Sequence, residues 1–485
     1  MGIALHRPSA TPRASAPVEQ PLGRGRLIAY AGAAASTALI AQPINLYLPQ
    51  VYAKELGISI GAIGAALIVT QIAEAISQQV CGLLSDRTHT RWGPRKPWVA
   101  GGAVLAIIAA FFLLKPPPGI GIAWFILWKI VYDFAWAAKN VAYSAWGSEL
   151  SNSYDDRSRI VGSSTFASQA GYVFNEMLPV IVFGLGLVAS STYSMSVMGY
   201  YFLIGAIAVP FAHIVAVSFV PRAPQRTVER PTISGAIEIF RSNPPFRRYL
   251  LAFFIGNVAL GNSSLTFIFY DGYLKVGGWF PWIMTSFSLA SLAAIPLWVR
   301  VSRRIGKHRT YAIGTLIAGA CPLSWLVIRP AAMTQHEIVA FAFAVVTVMG
   351  VGLGCNSFSS ASILGDVVDY GTLRTGNERT GTYFACYLLV TKVAVAIGGS
   401  LAYMTIAAFG FDAKAGAKNS HEAILAFLVV YALIPPILKI IGALLMYDFP
   451  LTARRHAIVR RRNAALLQRR RMILEMDRLE SANPL

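Results

Sequence analysis

The stretch Gly82-Leu-Leu-Ser-Asp86-Arg87-Thr-His-Thr-Arg91-Trp92-Gly93-Pro94-Arg95-Lys96-Pro97-Trp98 separates two long apolar runs, residues 59–84 and 97–115. A helix that spans a bilayer needs about 20 mostly apolar residues, and each run is about that long. The stretch between them therefore reads as a short basic loop joining two membrane helices. Asp86 falls at the end of the first helix, beside several cations. There it can pair with them and with the free N–H groups that open the next helix. A cluster of that kind can hold helix ends together in one state and release them in another.

Working outward, the same alternation fills the chain. Of 485 residues, 55% are hydrophobic and only 13% charged, against about a quarter charged in a soluble domain. Mean hydropathy is +0.54. Apolar stretches fall near 27–52, 59–84, 97–115, 119–148, 159–188 and 195–220, and again near 249–274, 279–301, 309–329, 338–365, 381–410 and 422–448. The fold class this predicts is an all-α polytopic membrane protein with about twelve transmembrane helices in two six-helix units. Residues 27–220 form one unit and 249–448 the other, with a charged linker at 221–248, a polar tail at 1–26 and a basic tail at 449–485.

The net charge of +20 would suggest nucleic acid in a soluble protein. Here it is explained by basic residues crowding the cytoplasmic loops, and no nucleic-acid partner is expected. The loops after spans two, four, six, eight and ten carry Arg87, Arg91, Arg95, Lys96; Arg157, Arg159; Arg222, Arg226, Arg230, Arg241, Arg247, Arg248; Arg303, Arg304, Lys307, Arg309; and Arg374, Arg379. The alternate loops, such as Gly186–Ser194, are short or nearly uncharged. An even number of spans then puts both termini in the cytoplasm of a cell (inner) membrane protein. The N-terminal tail has no apolar core of the signal-peptide kind. A disordered cytoplasmic tail is a simpler reading of it than an Arg-rich transit peptide. After Phe449 the chain holds nine Arg and three acids, either a basic helix lying on anionic headgroups or a solvated tail. Cys81, Cys321, Cys355 and Cys386 each lie in an apolar run without metal-type spacing, and are read as free buried thiols. No metal site is expected.

A short internal repeat supports the two units. Arg91-Trp92-Gly93-Pro94-Arg95-Lys96 follows span two and Arg304-Ile305-Gly306-Lys307-His308-Arg309 follows span eight, both of the form R-x-G-x-[RH]-[KR]. Paired units with a site between them near the midplane are a common transporter plan.

Three segments carry a resemblance. The first is the opening loop, G-x-x-S-D-R followed by R-W-G-x-[RK]-[RK]-P-W. The second is Tyr143-Ser-Ala-Trp146-Gly-Ser-Glu149-Leu150, followed by Tyr154-Asp155-Asp156-Arg157-Ser-Arg159. The third is Leu364-Gly-Asp366-Val-Val-Asp369-Tyr370-Gly, then Gly376-Asn-Glu378-Arg379-Thr-Gly381-Thr-Tyr383-Phe384, then Thr391-Lys392. In these residues the chain resembles the glycoside–pentoside–hexuronide:cation symporter family of the major facilitator superfamily, over roughly residues 45–448. The resemblance implies alternating access, with a central site opened to one face at a time. It also implies gating roles for Asp86, Arg87, Arg91, Arg95, Lys96, Asp155, Arg157, Arg159, Asp366, Asp369, Glu378 and Arg379.

Ion coupling requires ionisable groups inside the membrane, and Glu74, Lys129, Asp133, Lys139, Glu176 and Lys392 are the candidates. The resembling family has two cation-site carboxylates four residues apart on span two. Glu74 matches the first, Gln78 replaces the second, and the helping Thr of span four appears as Ala137. Hard cations favour several oxygen ligands. A lone Glu beside Lys392 suits H+ better than Na+, and no other cofactor is implied. Glu74, Gln78 and Lys392 are therefore the expected coupling group, the alternative being a static interhelical pair. Lys129 and Asp133 are four apart on one helix and read as a structural pair. Lys139 either faces an anionic substrate, or snorkels or pairs with Glu176.

The family's sugar ligands transfer poorly. Its span-four Asp aligns with Asn140, its span-five Arg with Ser164, its span-ten Trp with Ser357 next to Phe358, and a span-one Asp near Leu39. Trp136, Tyr143 and Trp146 offer stacking faces, or serve packing. In span seven, Asn257, Asn262, Ser263, Ser264 and Thr266 form a polar run that must line the cavity or bridge helices. Asn257, Gly261 and Ser264 share one face. The expected substrate-binding set is Trp136, Lys139, Asn140, Tyr143, Ser164, Asn257, Asn262, Ser357 and Phe358.

The functional expectation is a secondary active transporter of a small organic solute, sugar-like or an organic anion, coupled to protons. It is expected to be monomeric and to carry anionic lipid headgroups against its basic tail. A lysolipid or amphiphile carrier, or a receptor or assembly protein that has lost transport, are the alternatives. An enzyme is not expected: no G-x-x-x-x-G-K-[ST], H-E-x-x-H or G-x-S-x-G occurs.

Overall fold

The computed structural model describes residues 22–151, 154–222, 233–377, 379–414 and 417–482. Several helices open on a side chain that accepts from a free N–H of the first turn. Ser59 receives Ala62 N, Ser194 receives Val197 N, Asn243 receives Phe246 N and Ser420 receives Ala423 N. Thr334 and Glu337 form a reciprocal capping box. Each such cap contributes about 1 kcal/mol and fixes where a helix enters the bilayer.

The long helices are α1 (Arg24–Glu55), α2 (Ile60–Arg87), α3 (Lys96–Leu114), α4 (Ile122–Glu149), α5 (Tyr154–Gly184) and α6 (Met195–Phe219), then α7 (Pro244–Tyr273), α8 (Gly277–Ile305), α9 (Lys307–Val327), α10 (Gln335–Thr375), α11 (Thr380–Ala408) and α12 (His421–Tyr447). Last comes α13 (Ala453–Ala482). Among the described residues, ten helices are long and apolar enough to cross a membrane. Helices α4 and α5 have the length, 28 and 31 residues, but α4 carries Lys129, Asp133 and Lys139, and α5 carries Glu176.

Helices α1 to α6 pack on one another, α7 to α12 likewise, and the two groups meet chiefly through α2 against α11 and α5 against α8. The hexapeptide repeat is visible in the backbone. Gly93 and Gly306 both adopt φ +91°, a region open to glycine and costly for other residues, so the two loops turn in the same way.

Several boundaries differ from the sequence expectation, among them the start of α5 at Tyr154, which places Asp155, Arg157 and Arg159 on a helix and not in a loop. A short helix, Ile233–Ser242, and the start of α7 at Pro244 occupy part of the expected linker. Helix α10 runs on to Thr375 after a break near Gly354. At 41 residues it is about 60 Å long, so it projects beyond the bilayer. Asp366 and Asp369 therefore stand on its projecting end and not in a loop. Among the thiols, Cys81 and Cys355 are buried as expected, but Cys321 and Cys386 are only half-buried.

Close helix contact inside the second unit depends on glycine. A Cβ on Gly398 would overlap the Val258 carbonyl, and one on Gly261 would overlap that of Val395, so α7 and α11 touch backbone to backbone. Gly398→Ala is expected to lower stability by at least the upper end of the usual overpacking cost, about 3 kcal/mol. Gly256→Ala on α7, where a Cβ meets nothing within 4 Å, is expected to be neutral or slightly stabilising. Thermal unfolding of both variants in one detergent checks the contrast.

Candidate coupling and substrate site

Glu74 on α2 and Lys392 on α11 meet across the junction of the two units. Lys392 Nζ lies 2.5 Å from Glu74 Oε1. The same oxygen accepts from Gln78 Nε2 at 3.0 Å, so the amide that stands where a second carboxylate was expected acts as a donor to the first. Their side chains retain 21% and 39% exposure. They line a groove of about 750 Å³ together with Asn257, Thr391 and Ser400, its walls otherwise apolar.

Behind this pair, on α4, Lys129 Nζ donates to both oxygens of Asp133 at 2.5 and 2.7 Å, as the i,i+4 spacing implied. Both residues are almost fully buried, and Asp133 lies within electrostatic reach of Glu74 and Lys392.

The expected substrate residues divide into two clusters and some bridges. Lys139 is buried, donates to Thr37 Oγ1 at 2.7 Å and sits 4.2 Å from the centroid of the Trp136 ring. It does not pair with Glu176, which instead accepts from Ser288 Oγ at 2.8 Å. One turn of α4 onward, Tyr143 stacks on Tyr30 at 4.3 Å, donates to the Tyr30 carbonyl at 2.7 Å and shares a 3.3 Å hydrogen bond with Ser164. Asn140, Ser144 and Ser148 form an exposed polar stripe on α4, and Ser357 is exposed on α10. Polar groups on a membrane helix are costly against lipid, so this stripe faces water.

Phe358 is half-buried and packs against Ala294, Trp298 and Cys355. Asn262 is buried, and its Nδ2 donates to the Val430 carbonyl of α12 at 2.8 Å. Of the two roles open to it, it bridges helices and is not presented to the cavity. Trp146 is likewise buried, with Nε1 bonded to the Pro221 carbonyl at 2.9 Å.

Of the residues expected to gate, several tie helix ends together on the basic side. Arg95 is 2.6 Å from Asp86 and 2.7 Å from Glu149, and also donates to Ser85 Oγ at 2.8 Å. Burial alone would lower its pKa, but hydrogen bonds and the charges of Glu149 and Asp86 outweigh that and hold the guanidinium above its ordinary value. Lys96 Nζ donates to the Val217 carbonyl at 2.7 Å. Arg91 lies 5.6 Å from the Trp92 ring, and the Arg87 carbonyl bonds the His89 ring. Arg159 donates to the Leu22 carbonyl.

In the second unit Lys307 reaches Asp366 at 2.8 Å, His456 reaches Asp369 at 2.9 Å and Arg379 reaches Glu238 at 2.6 Å. Lys307 and Asp366 thus reproduce the Arg95–Glu149 link between the third and fourth helices of a unit. The side chains of Asp155 and Arg157, and all of Glu378, Arg226, Arg230 and the N-terminal tail to residue 21, lie outside the described residues. Through His456, and through Asn463 on the Asp369 carbonyl at 2.8 Å, α13 is docked on α10.

On the opposite side the units are bolted together by contacts the sequence reading had not anticipated. Lys54 pairs with Asp271 at 2.6 Å, Gln50 Oε1 accepts Ile268 N at 2.8 Å and Ser191 donates to the Gly278 carbonyl at 2.8 Å. Tyr193 packs on Phe267 and Phe280 at 5.5 and 5.7 Å. Lys54 and Asp271 close the first helix of each unit, so their equivalent placement in the repeat was the available signal. Glu176–Ser288 and Glu74–Lys392 add two further links between the units. The contacts between the units thus gather at mid-depth and on the far side, which they close.

Two groups of membrane helices meeting at an ion-paired junction fit a membrane carrier. The sequence profile of the MFS/sugar transport protein family matches residues 29–453, and the chain belongs to that family. Its relatives include the glucuronide carrier protein homolog of Escherichia coli (strain K12), 22% identical over 84% of this chain and 88% of that protein. They also include the isoprimeverose transporter of Lactiplantibacillus pentosus, 22% identical over 81% of each. Among solved structures, the nucleoside transporter NupG shares the fold with a TM-score of 0.62 at 12% identity, over 88% of this chain and all of that one. The protein is a multi-pass secondary active transporter for a small-molecule substrate, and not an enzyme.

Proposed function

We propose that the protein carries a small polar organic solute, a glycoside or a sugar-derived organic anion, with protons as the coupling ion. The observation that carries this reading is the Glu74–Lys392 pair at the junction of the units, with Gln78 donating to Glu74. One carboxylate, already held by an ammonium and an amide donor, is a poor cage for Na+ but a workable proton acceptor. Trp136, partly buried, offers a ring face to a sugar, and exposed Asn140 offers an amide to its hydroxyls. The names of the relatives, a glucuronide carrier protein homolog and an isoprimeverose transporter, support that substrate class.

In this reading the chain crosses the cell (inner) membrane twelve times, counting α4 and α5, with the basic side and both termini in the cytoplasm. The structure then represents an inward-open state. The protein works as a monomer, and the exposed arginines of α13 rest on anionic headgroups.

The test is uptake of labelled glucuronide and disaccharide into proteoliposomes under an imposed gradient. A pH gradient, alkaline inside, is expected to drive accumulation, while a Na+ gradient of equal size is expected to drive none. Accumulation driven by Na+ alone would sink the proton assignment. One observation favours a second reading, an amphiphile carrier: the groove holding Glu74 and Lys392 is walled by Ile68, Ile72, Ile76, Val393, Ile397 and Leu401, a lining suited to an acyl chain. Labelled lysolipid in the same vesicles separates the two.

A further inference from the structure

Glu176 is a membrane carboxyl without a counter-ion. It lies on α5, two turns before the far end of that helix, and is 4% exposed. Its Oε1 accepts from Ser288 Oγ of the other unit at 2.8 Å. Its Oε2 has no partner, and neither has Oε1 of Gln42, the α1 side chain that faces it. The other titratable groups around it are Tyr47 of α1, Tyr193 of the loop before α6 and Tyr201 of α6. No cation is among them, and among the described residues Glu176 takes part in no ion pair.

An ionised carboxylate in this position would be an isolated charge inside the bilayer, which proteins avoid by neutralising the group. As the acid, Glu176 gains an O–H donor. Oε2, which has no partner as an acceptor, then becomes a donor.

We propose that Glu176 carries a proton in the far-side-closed state, and that the Glu176–Ser288 contact is a proton-dependent seal distinct from the Glu74–Lys392 pair. The contact joins α5 to α8, so it exists only while the units are closed on the far side. When they rock apart there, Ser288 withdraws, water reaches the carboxyl, and the proton leaves for that water. The closed state therefore binds one more proton than the open state at this position. Its stability falls as pH rises, so low pH closes the far side and high pH opens it. The proposal builds on the proton-coupled reading and assigns the proton a second task, licensing closure.

Infrared spectroscopy of the purified protein tests it without any solute. At neutral pH a carbonyl band of a protonated, buried carboxylic acid is expected, missing in Glu176→Gln and retained in Glu74→Gln. Spin labels at exposed Ser190 and Gln335, on the far side of opposite units, give the second readout in a background freed of native cysteines. Their separation is expected to lengthen as pH rises in the parent protein and to stay short at every pH in Glu176→Gln.

Glutamine can still accept from Ser288. A merely structural hydrogen bond therefore predicts an unchanged pH response in that variant, and that result, or an unaltered infrared band, overturns the proposal. Ser288→Ala serves as the second variant: the acid band is expected to persist at a shifted frequency, and opening is expected at lower pH. Both readouts stand even if Glu74 proves not to couple transport, so the two ideas fail separately.

Discussion

Glu74→Gln is expected to exchange solute across the membrane while losing pH-driven accumulation. Glutamine fills nearly the same volume and still offers an oxygen to Lys392 and Gln78, which now donate to Glu74 at 2.5 and 3.0 Å. The junction should therefore close as before. What the variant removes is a group that takes a proton on one side and yields it on the other.

A step of one pH unit is worth about 1.4 kcal/mol per proton. One-to-one symport without a membrane potential then sustains about tenfold accumulation, and the variant should fall to no accumulation. Counterflow, which needs only the loaded carrier to turn over, should survive. Uptake and counterflow in the same proteoliposomes measure both. Full pH-driven accumulation by Glu74→Gln would remove this carboxyl from the coupling path. Lys129 and Asp133 form a second buried pair within electrostatic reach of the first, so Asp133→Asn is the variant to examine next.

Much of this architecture was legible because hydropathy, charge and loop turns are local properties. The basic loops, the repeat and the Lys129–Asp133 pair each depend on residues close in sequence. The equal φ of Gly93 and Gly306 shows that the six-residue match reported a real duplication of the turn.

What the sequence withheld are the contacts made between distant helices. It marked Glu176 as costly in a membrane, but its partner, Ser288, is 112 residues away. The same distance hid the true surroundings of Lys139, whose hydrogen bond runs to Thr37, 102 residues earlier. Asn262 was one of several polar residues in a run, and only packing separates the one that bonds an α12 carbonyl from those that face the groove. The end of α10 was missed for another reason. Hydropathy stops at the bilayer surface while the helix continues, which carries Asp366 and Asp369 out to meet Lys307 and His456.

Arg95→Ala is expected to be among the most destabilising single changes on the basic side. One guanidinium joins the ends of three helices: Asp86 and Ser85 at the end of α2, its own position at the start of α3, and Glu149 at the end of α4. It is 11% exposed, and Glu149 only 7%. Removing one member of a buried pair leaves the other charge unpaired, at a cost of about 3–5 kcal/mol. Asp86, at 40% exposure, can turn to water and adds little to that sum.

Arg95→Lys should recover only part of the loss. An ammonium is a point charge and cannot hold Asp86, Ser85 and Glu149 from one planar fork. Arg95→Ala with Glu149→Gln removes the stranded charge as well, and should be more stable than Arg95→Ala alone. Thermal unfolding of the three variants measures the order. If Arg95→Ala alone matched the parent protein, the cluster would be a surface ion pair of little consequence. If the order holds, the junction of α2, α3 and α4 moves as one body during transport, because a link of this strength is not broken in each cycle.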